Sequence, residues 1–377
     1  MILQVRTSRP SISMNGTDYY KQLAPYFLTL TYEDNCDGKK ADDFELKLAD
    51  RDKRFINDWM PKRGAYLDVG IIAERWFAPF ATAISLDCGR LWIDTVDFQL
   101  PEHTVTIKAT SIPTGVRLKV AIETRGWEGI TLKDLAQKIA TENQMDLDYP
   151  SDIHNPKYAH IEQHDESALQ FLMKRAENAK LGIKVKKNKI FFYDEQKLED
   201  LPPKFALLYG NTAAISGLPA YRMAGGSFTT TVVDKIKKAK VKHLDVTTGD
   251  TQQGEAEDPD SDDEDGSTDD QDQNINENTD ADTDQGGGGD TRADVPPGEG
   301  SAGQWNAADT MKAKAAVREK NKHKYLGRID LSIGNPLIAA GQTLTVSGVG
   351  QYDGKWFLES VKHEVGPEYK SELTIRR

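Results

Sequence analysis

Apolar and polar residues alternate along Phe27-Leu28-Thr29-Leu30-Thr31-Tyr32, Phe44-Glu45-Leu46-Lys47-Leu48, Tyr66-Leu67-Asp68-Val69-Gly70-Ile71, residues 91–98 and Val105-Thr106-Ile107-Lys108-Ala109. A period of two over runs this short is that of half-buried antiparallel strands, one face on a core and one in water. The N-terminal stretch, residues 1–115, is therefore expected to form a small barrel or sandwich.

The period changes between about 126 and 203. Thr131 is placed to cap a helix running through Glu142 with Leu132, Leu135 and Ile139 on one face. Asp165 or Ser167 is placed to cap a second helix carrying Leu169, Phe171, Leu172 and Ala176, stopped near Gly182. A hairpin, Ile183-Lys184-Val185-Lys186 and Lys189-Ile190-Phe191-Phe192-Tyr193, is expected to turn at Lys187-Asn188. Residues 116–203 thus read as a compact α+β module. Strand patterns resume over 205–246, a helix rich in Ala, Lys and Arg is expected over about 307–324, and strands return over 327–376.

Charge alters this picture at one place. The 377-residue chain has a formal net charge of −12, but residues 249–303 hold 19 Asp and Glu against the single Arg292, so that this segment carries −18 and the rest of the chain +6. Its few apolar residues, such as Ile275 and Val295, cannot offset the entropy of ordering so long a stretch, and it is expected to be a disordered acidic insert.

One internal repeat is visible. Gly89-Arg90-Leu91-Trp92-Ile93-Asp94-Thr95-Val96 and Gly354-Lys355-Trp356-Phe357-Leu358-Glu359-Ser360-Val361 match in residue class throughout. Each is preceded by a similar strand entry, Gly64-Ala65-Tyr66-Leu67-Asp68-Val69 and Gly341-Gln342-Thr343-Leu344-Thr345-Val346, with a longer hairpin in the first copy. Two antiparallel hairpins can look alike by coincidence. The sharper reading is a duplicated barrel, with three chains presenting six quasi-equivalent surfaces.

The order of several modest motifs resembles the phage late control D proteins, the tail hub family that includes the hub of T-even baseplates and the base of secretion-system spike proteins. The resemblance rests on Ala41-Asp42-Asp43-Phe44-Glu45-Leu46-Lys47-Leu48-Ala49-Asp50, Trp59, Pro61, Gly64 and Leu67-Asp68-Val69. It continues through Gln163-His164-Asp165-Glu166-Ser167-Ala168-Leu169-Gln170-Phe171-Leu172 and Gly334-Asn335-Pro336-Leu337-Ile338-Ala339-Ala340-Gly341, then Gly354-Lys355-Trp356 and Val361-Lys362-His363. Ala168 stands where the family more often has Asp, and the acidic insert is longer than its usual linker.

The resemblance implies a mainly β fold with α+β: two tail-tube-like antiparallel β-barrels, residues 1–115 and 204–248 with 304–377, flanking the small α+β module and interrupted by the insert at 249–303. It further implies a homotrimer between the tail tube protein and the central spike protein, in contact with other baseplate proteins. DNA would pass through the channel without sequence-specific binding. The location implied is the virion tail baseplate, after synthesis in the host bacterial cytoplasm.

Candidate chemistry is sparse. Cys36 and Cys88 lack both the number for a disulfide framework and the paired spacing of a zinc site. The N-terminus lacks a leader's apolar run and no stretch is long and apolar enough for a membrane helix, so no stable membrane insertion is expected. His160 and His164 stand four apart, but Ile161 occupies the place where a metalloprotease helix needs Glu. His363 reads as structural. Ser261, Asp263, Asp265, Gly266 and Asp272 only approximate a calcium loop, and Gly286-Gly287-Gly288-Gly289 reads as a spacer. No nucleophile elbow occurs, so no enzyme, cofactor or metal is expected; a cell-wall glycan-binding or peptidoglycan-degrading tail enzyme is the competing class, and the hub of a contractile secretion or injection system another.

The lysine runs 184–189 and 235–243 are expected to form solvated or subunit-facing strand edges. The candidate interface residues are Trp76, Phe77 and Phe80 in the longer hairpin, core burial being the default for such aromatics, and Lys312 and Arg318 on the C-terminal basic helix. The insert is expected to shield that helix electrostatically until assembly, or to lie outside the ring as a solubilising tail.

Overall fold

Alternation in sequence becomes alternation in burial. Along Asp43–Ala49, Phe44, Leu46 and Leu48 are buried while Asp43, Glu45 and Lys47 face outward. The same inward and outward rhythm runs along Tyr66–Glu74 and Tyr369–Arg376. Each fully buried aliphatic side chain contributes about 1.5–3 kcal/mol relative to exposure.

The structure, a computed structural model, describes residues 5–38, 40–62, 64–78, 81–113, 117–231, 238–244, 251–257, 273–276 and 322–377. In chain order its elements are β1 (Thr7–Met14), β2 (Thr17–Asp18), α1 (Tyr20–Leu23), β3 (Phe27–Asn35), β4 (Asp43–Ala49), β5 (Tyr66–Glu74), β6 (Ile84–Gln99) and β7 (Thr104–Thr110). Then follow α2 (Arg117–Val120), β8 (Ile122–Thr131), α3 (Leu132–Glu142), β9 (Asp146–Asp148), β10 (Lys157–Ser167), α4 (Ala168–Asn178), β11 (Gly182–Lys186), β12 (Lys189–Tyr193) and α5 (Glu195–Asp200). The last are β13 (Phe205–Leu208), β14 (Ala220–Thr230), β15 (Lys238–Leu244), β16 (Thr251–Glu257), β17 (Gln273–Asn276), β18 (Tyr325–Leu331), β19 (Thr343–Ser347), β20 (Gly354–Val365) and β21 (Tyr369–Arg376).

The fold is mainly β, organised around one 13-stranded sheet in the order β19-β13-β14-β18-β21-β20-β3-β4-β7-β6-β5-β1-β2. Because β19 also pairs with β20, the six strands β13, β14, β18, β21, β20 and β19 close into a barrel around Trp356, Leu358, Leu344, Ile329 and Leu373. The N-terminal strands curl around a second core of Leu30, Tyr32, Leu46, Ile71 and Leu91. Among the described strands no pairing of β1 with β3 closes this unit. Pro10 sits within β1, where its missing N–H is tolerated because most of one strand edge has no ladder to complete.

A third core lies between the ribbon β8–β10, the sheet β11-β12-β9 and helices α3 and α4. Thr131 caps α3, its Oγ1 accepting from the Asp134 N–H at 3.2 Å. Of the two residues placed to cap α4, Ser167 does so. Its Oγ accepts from the Gln170 N–H at 3.3 Å while Gln170 Oε1 accepts from the Ser167 N–H at 3.2 Å, a reciprocal capping box. The β11–β12 hairpin turns at Lys187 and Asn188, both in the left-handed region at φ 52° and 60°.

Within 249–303, Thr251–Glu257 forms a strand against β15, and Gln273–Asn276 pairs in parallel with it. The remainder of that segment lies outside the described residues, as does most of the helix expected over 307–324.

Candidate functional site

The likeness between the two β units extends from sequence to hydrogen-bonding register. In the first unit Tyr66, Leu67, Asp68 and Val69 face Trp92, Leu91, Arg90 and Gly89. In the second, Thr343, Leu344, Thr345 and Val346 face Phe357, Trp356, Lys355 and Gly354, the same four pairs in the repeat alignment. On the next strand, Ile93 faces Ala109 and Thr95 faces Lys108, leaving Asp94 as a bulge. Leu358 faces Ile375 and Ser360 faces Thr374, leaving Glu359 as the bulge at the matching position.

The correspondence continues where residue likeness fades. Phe44 and Leu46 face Ala109 and Ile107, as Gly327 and Ile329 face Ile375 and Leu373. Phe27 faces Leu48 and Thr29 faces Lys47 around the extra residue Leu28, as Met223 faces Leu331 and Gly225 faces Asp330 around Ala224. Five consecutive strands, β5-β6-β7-β4-β3 and β19-β20-β21-β18-β14, thus share order, register and two bulges. Bulges are deliberate local features, and coincidence of two of them at matched positions distinguishes a repeat from two similar hairpins. The units differ at their last strand: β1 is antiparallel to β5, whereas β13 is parallel to β19.

The units join through β20 and β3. Ser360, Val361, Lys362, His363, Glu364 and Val365 face Asn35, Asp34, Glu33, Tyr32, Thr31 and Leu30. His363 is fully buried at this junction, with Nδ1 beside the Tyr369 hydroxyl at 2.9 Å and the Ser371 hydroxyl at 3.1 Å, and Nε2 3.2 Å from the Ile338 carbonyl. Burial pushes its imidazole down to about 4.

The α+β module is fastened beside this junction by a buried charge cluster. Lys184 Nζ meets Asp34, donates to the Asn35 carbonyl at 2.7 Å and lies 3.0 Å from Asp42 Oδ1. Lys186 Nζ lies 3.0 Å from the Tyr32 hydroxyl, which donates to Asp42 Oδ2 at 2.8 Å. The Ala340 N–H donates to Asp34 at 2.9 Å, so all three units meet here. Burial alone would raise the Asp34 carboxyl, but the Lys184 and Lys186 charges outweigh it and hold it below the usual carboxylate range. Asp42 moves the other way, raised by burial and by Asp34 despite Lys184. The lysines of 184–186 are therefore docked against carboxylates and are not a solvated edge. The physical reason is that Ile183 and Val185 occupy the module core, turning the alternate side chains toward β3.

A second fastening uses Arg376, 4% exposed at its side chain, which pairs with Glu195 at 3.2 Å and Glu199 at 2.6 Å on α5 and lies 3.7 Å from the bulge residue Glu359. Burial raises the Glu359 carboxyl, but the hydrogen bond from His323 at 2.8 Å and the Arg376 charge together leave it below its ordinary value.

The residues singled out from sequence fall in different places. Trp76 is buried, its ring 5.3 Å from that of Tyr369 and its indole N–H donating to the Gly334 carbonyl at 2.6 Å. Phe77 is 47% exposed, its ring 6.1 Å from that of Tyr221. Beside Trp76 a cleft of about 840 Å³ opens between the two β units, lined also by Thr7, Ile333, Lys362 and Glu368. Phe80, Lys312 and Arg318 lie outside the described residues, as do the five residues of the approximate calcium loop and the Gly286–Gly289 spacer.

His160 and His164 are exposed on β10, His160 Nε2 2.8 Å from Glu162. Among the described residues no group of three or more His, Cys, Asp or Glu is placed to hold a metal, and no helix is long and apolar enough to cross a membrane. Sequence reasoning missed Tyr32, Asp34 and Asp42 as partners of Lys184 and Lys186. The one local signal was charged residues alternating with buried ones on both strands.

No protein-family model matches the chain. In sequence it is similar to proteins named "Probable baseplate hub protein" of Escherichia phage P2, 29% identical over 182 residues, and of Escherichia phage 186, 25% identical over 181 residues. Each match covers 48% of this chain, and the chain spans less than half the length of these relatives, 44% and 43%. In fold it is similar to a tail protein from Neisseria meningitidis, with a TM-score of 0.65, 12% identity and coverage of 98% of this chain and 96% of that one. A 43 kDa tail protein of prophage MuSo2 from Shewanella oneidensis gives a TM-score of 0.63, 10% identity and 98% coverage of both chains. A component of the type VI secretion system of E. coli gives 0.51, with 10% identity, covering 97% of this chain and 76% of that one. The chain is thus similar in sequence to phage baseplate hub proteins, and it shares its fold with phage tail and secretion-system proteins.

Proposed function

We propose that this protein is a structural baseplate hub of a contractile phage tail, a homotrimeric ring that adapts a sixfold tail tube to a threefold spike. The observation that carries this reading is the repeat of five strands with common register and two common bulges. Three chains, each with two such units, present six similar β surfaces on one side while keeping threefold symmetry on the other. The similarity to baseplate hub proteins and the shared tail-protein fold support the same role. The protein acts by geometry, without a catalytic step, and the module fastened by Lys184 and Arg376 projects from the ring as a rigid part of it.

Mass in solution combined with a low-resolution image tests the reading. A ring of three with an axial hole is expected, and a monomer at every concentration overturns it. Fold similarity to a type VI secretion component favours a second reading, the equivalent hub of a contractile secretion system. Co-purification with a tail tube protein from phage particles separates the two. A peptidoglycan-degrading role predicts turnover of purified cell wall by the isolated chain, and none is expected.

A further inference from the structure

The α+β module has a core of its own. Among the described residues its buried set, which includes Leu135, Ile139, Phe171, Leu172 and Phe192, contains no residue of either β core. Neither of its two sheets shares a strand with the 13-stranded sheet. The chain enters the module once and leaves it once. On the entry side the Ser111 N–H donates to the Asp42 carbonyl at 3.1 Å, and Ser111 Oγ accepts from the Asp42 N–H at 3.2 Å. On the exit side the Thr343 hydroxyl lies 3.0 Å from the Leu201 carbonyl and 2.9 Å from that of Pro202. Each connection is thus anchored to a β unit where it meets the module.

Charge holds the body of the module. Its cations Lys184, Lys186 and Lys187 meet Asp34, Asp42 and Asp87 of the first β unit. Its anions Glu195 and Glu199 meet Arg376 of the second. Beside these, the backbones come close at Gly38, where a Cβ would lie 3.2 Å from the Gly182 Cα, and a Cβ on Gly341 would lie 3.8 Å from Leu198. Domains of one chain that meet through polar contacts, without a large apolar interface, move relative to each other by default. Removing one partner of a buried pair strands the other charge, so a half-open arrangement is disfavoured. Two arrangements satisfy the charges: docked with all of them paired, or undocked with all of them in water.

We infer that the α+β module, residues 117–200, is a hinged arm. It undocks from the two β units as an intact body, turning on its two connections, and the Lys184 and Arg376 clusters are the latch that holds it down. Hinges of this kind are a few residues at the ends of elements that absorb the change of direction. With one cluster removed the other holds the arm, at a cost in stability; with both removed the arm swings free. While latched, the module is a rigid part of the protein. The arm belongs to a single chain and does not depend on how many chains assemble.

The test uses the full chain with Lys184→Met, Lys186→Met, Glu195→Gln and Glu199→Gln combined, which removes the module's side of both clusters. The pair of Lys187 and Asp87 is exposed and holds little by itself. Solution scattering is expected to give a larger maximum dimension than for the wild type at unchanged mass. Hydrogen exchange is expected to quicken at the Asn35 and Ala340 amides, which donate to Asp42 at 3.1 Å and to Asp34 at 2.9 Å on the docking surface. Exchange in α3 and α4 is expected to stay as in the wild type, because their core goes with the arm. Dimensions equal to those of the wild type overturn the proposal. Faster exchange in α3 and α4 alongside the two reporter amides also overturns it, since the module then unfolds on release. Should the variant fail to fold, wild-type exchange in urea below the unfolding midpoint decides: the two reporter amides are expected to open at lower urea than α3 and α4, and simultaneous opening sinks the arm.

Discussion

The indole N–H of Trp76 donates to the carbonyl oxygen of Gly334 at 2.6 Å, a bond between residues 258 positions apart that ties the N-terminal unit to the closed barrel. Trp76 also packs on Tyr369, so its ring contributes both apolar burial and a satisfied polar atom. Trp76→Phe keeps much of the packing and leaves the Gly334 carbonyl without this donor, and is expected to cost about 1–3 kcal/mol. Trp76→Ala is expected to cost about 3–5 kcal/mol. Urea denaturation midpoints give both values, and a Trp76→Phe variant as stable as the wild type would contradict the assigned bond.

Lys184 is the central cation of the cluster at β3, close to both Asp34 and Asp42. Removing one partner of a buried ion pair leaves an uncompensated charge, so Lys184→Met is expected to destabilise by about 3–5 kcal/mol. Lys186 lies farther from the same carboxylates, at 3.8 and 3.9 Å, and Lys186→Met is expected to cost less. Replacing Asp34 and Lys184 together should recover part of the loss, as a double-mutant cycle in denaturant would read.

His363 gives the fold a pH dependence of defined sign. Its folded pKa is depressed to about 4 from 6.5, so between these values the unfolded chain binds a proton that the folded chain does not. Its contribution is present above pH 6.5 and lost as the pH falls toward 4, by about 3 kcal/mol. Asp34, also depressed, adds a loss in the same direction at lower pH, below the ordinary carboxylate value. Asp42 is raised and opposes it, its contribution fading as the pH climbs through its folded pKa. Denaturation of the wild type and of His363→Gln at pH 7 and pH 4.5 should show a markedly shallower pH dependence in the variant.

The reciprocal bonds of Ser167 and Gln170 begin α4. Ser167→Ala removes the acceptor for the Gln170 N–H and is expected to cost about 1 kcal/mol, while Ser167→Asp should retain most of the stability. Thermal unfolding followed by circular dichroism resolves the two. Identical midpoints for Ala and Asp would count against the cap.

Much of the fold was legible because its signals are local. Strands such as Asp43–Ala49 alternate with a buried side, and Thr131 and Gln170 carry capping chemistry within a few residues of the bonds they make. β1 was not legible: it is rich in Ser and contains Pro10, and Ile12 is its one large apolar residue in the core. The ribbon β8–β10 escaped notice for a related reason. It is a two-stranded sheet with much of its surface exposed, so the alternation on β8 is weak.

By itself the sequence determined the strand periods, the capped helices and the kinship of the segments around Trp92 and Phe357, since each depends on residues near one another along the chain. The tertiary structure alone decided that Lys184 meets Asp34, that Trp76 reaches Gly334, and that β3 joins β20. Those outcomes depend on which surfaces meet after the chain has curled. Charge and apolarity at a single position carry no record of a partner hundreds of residues away.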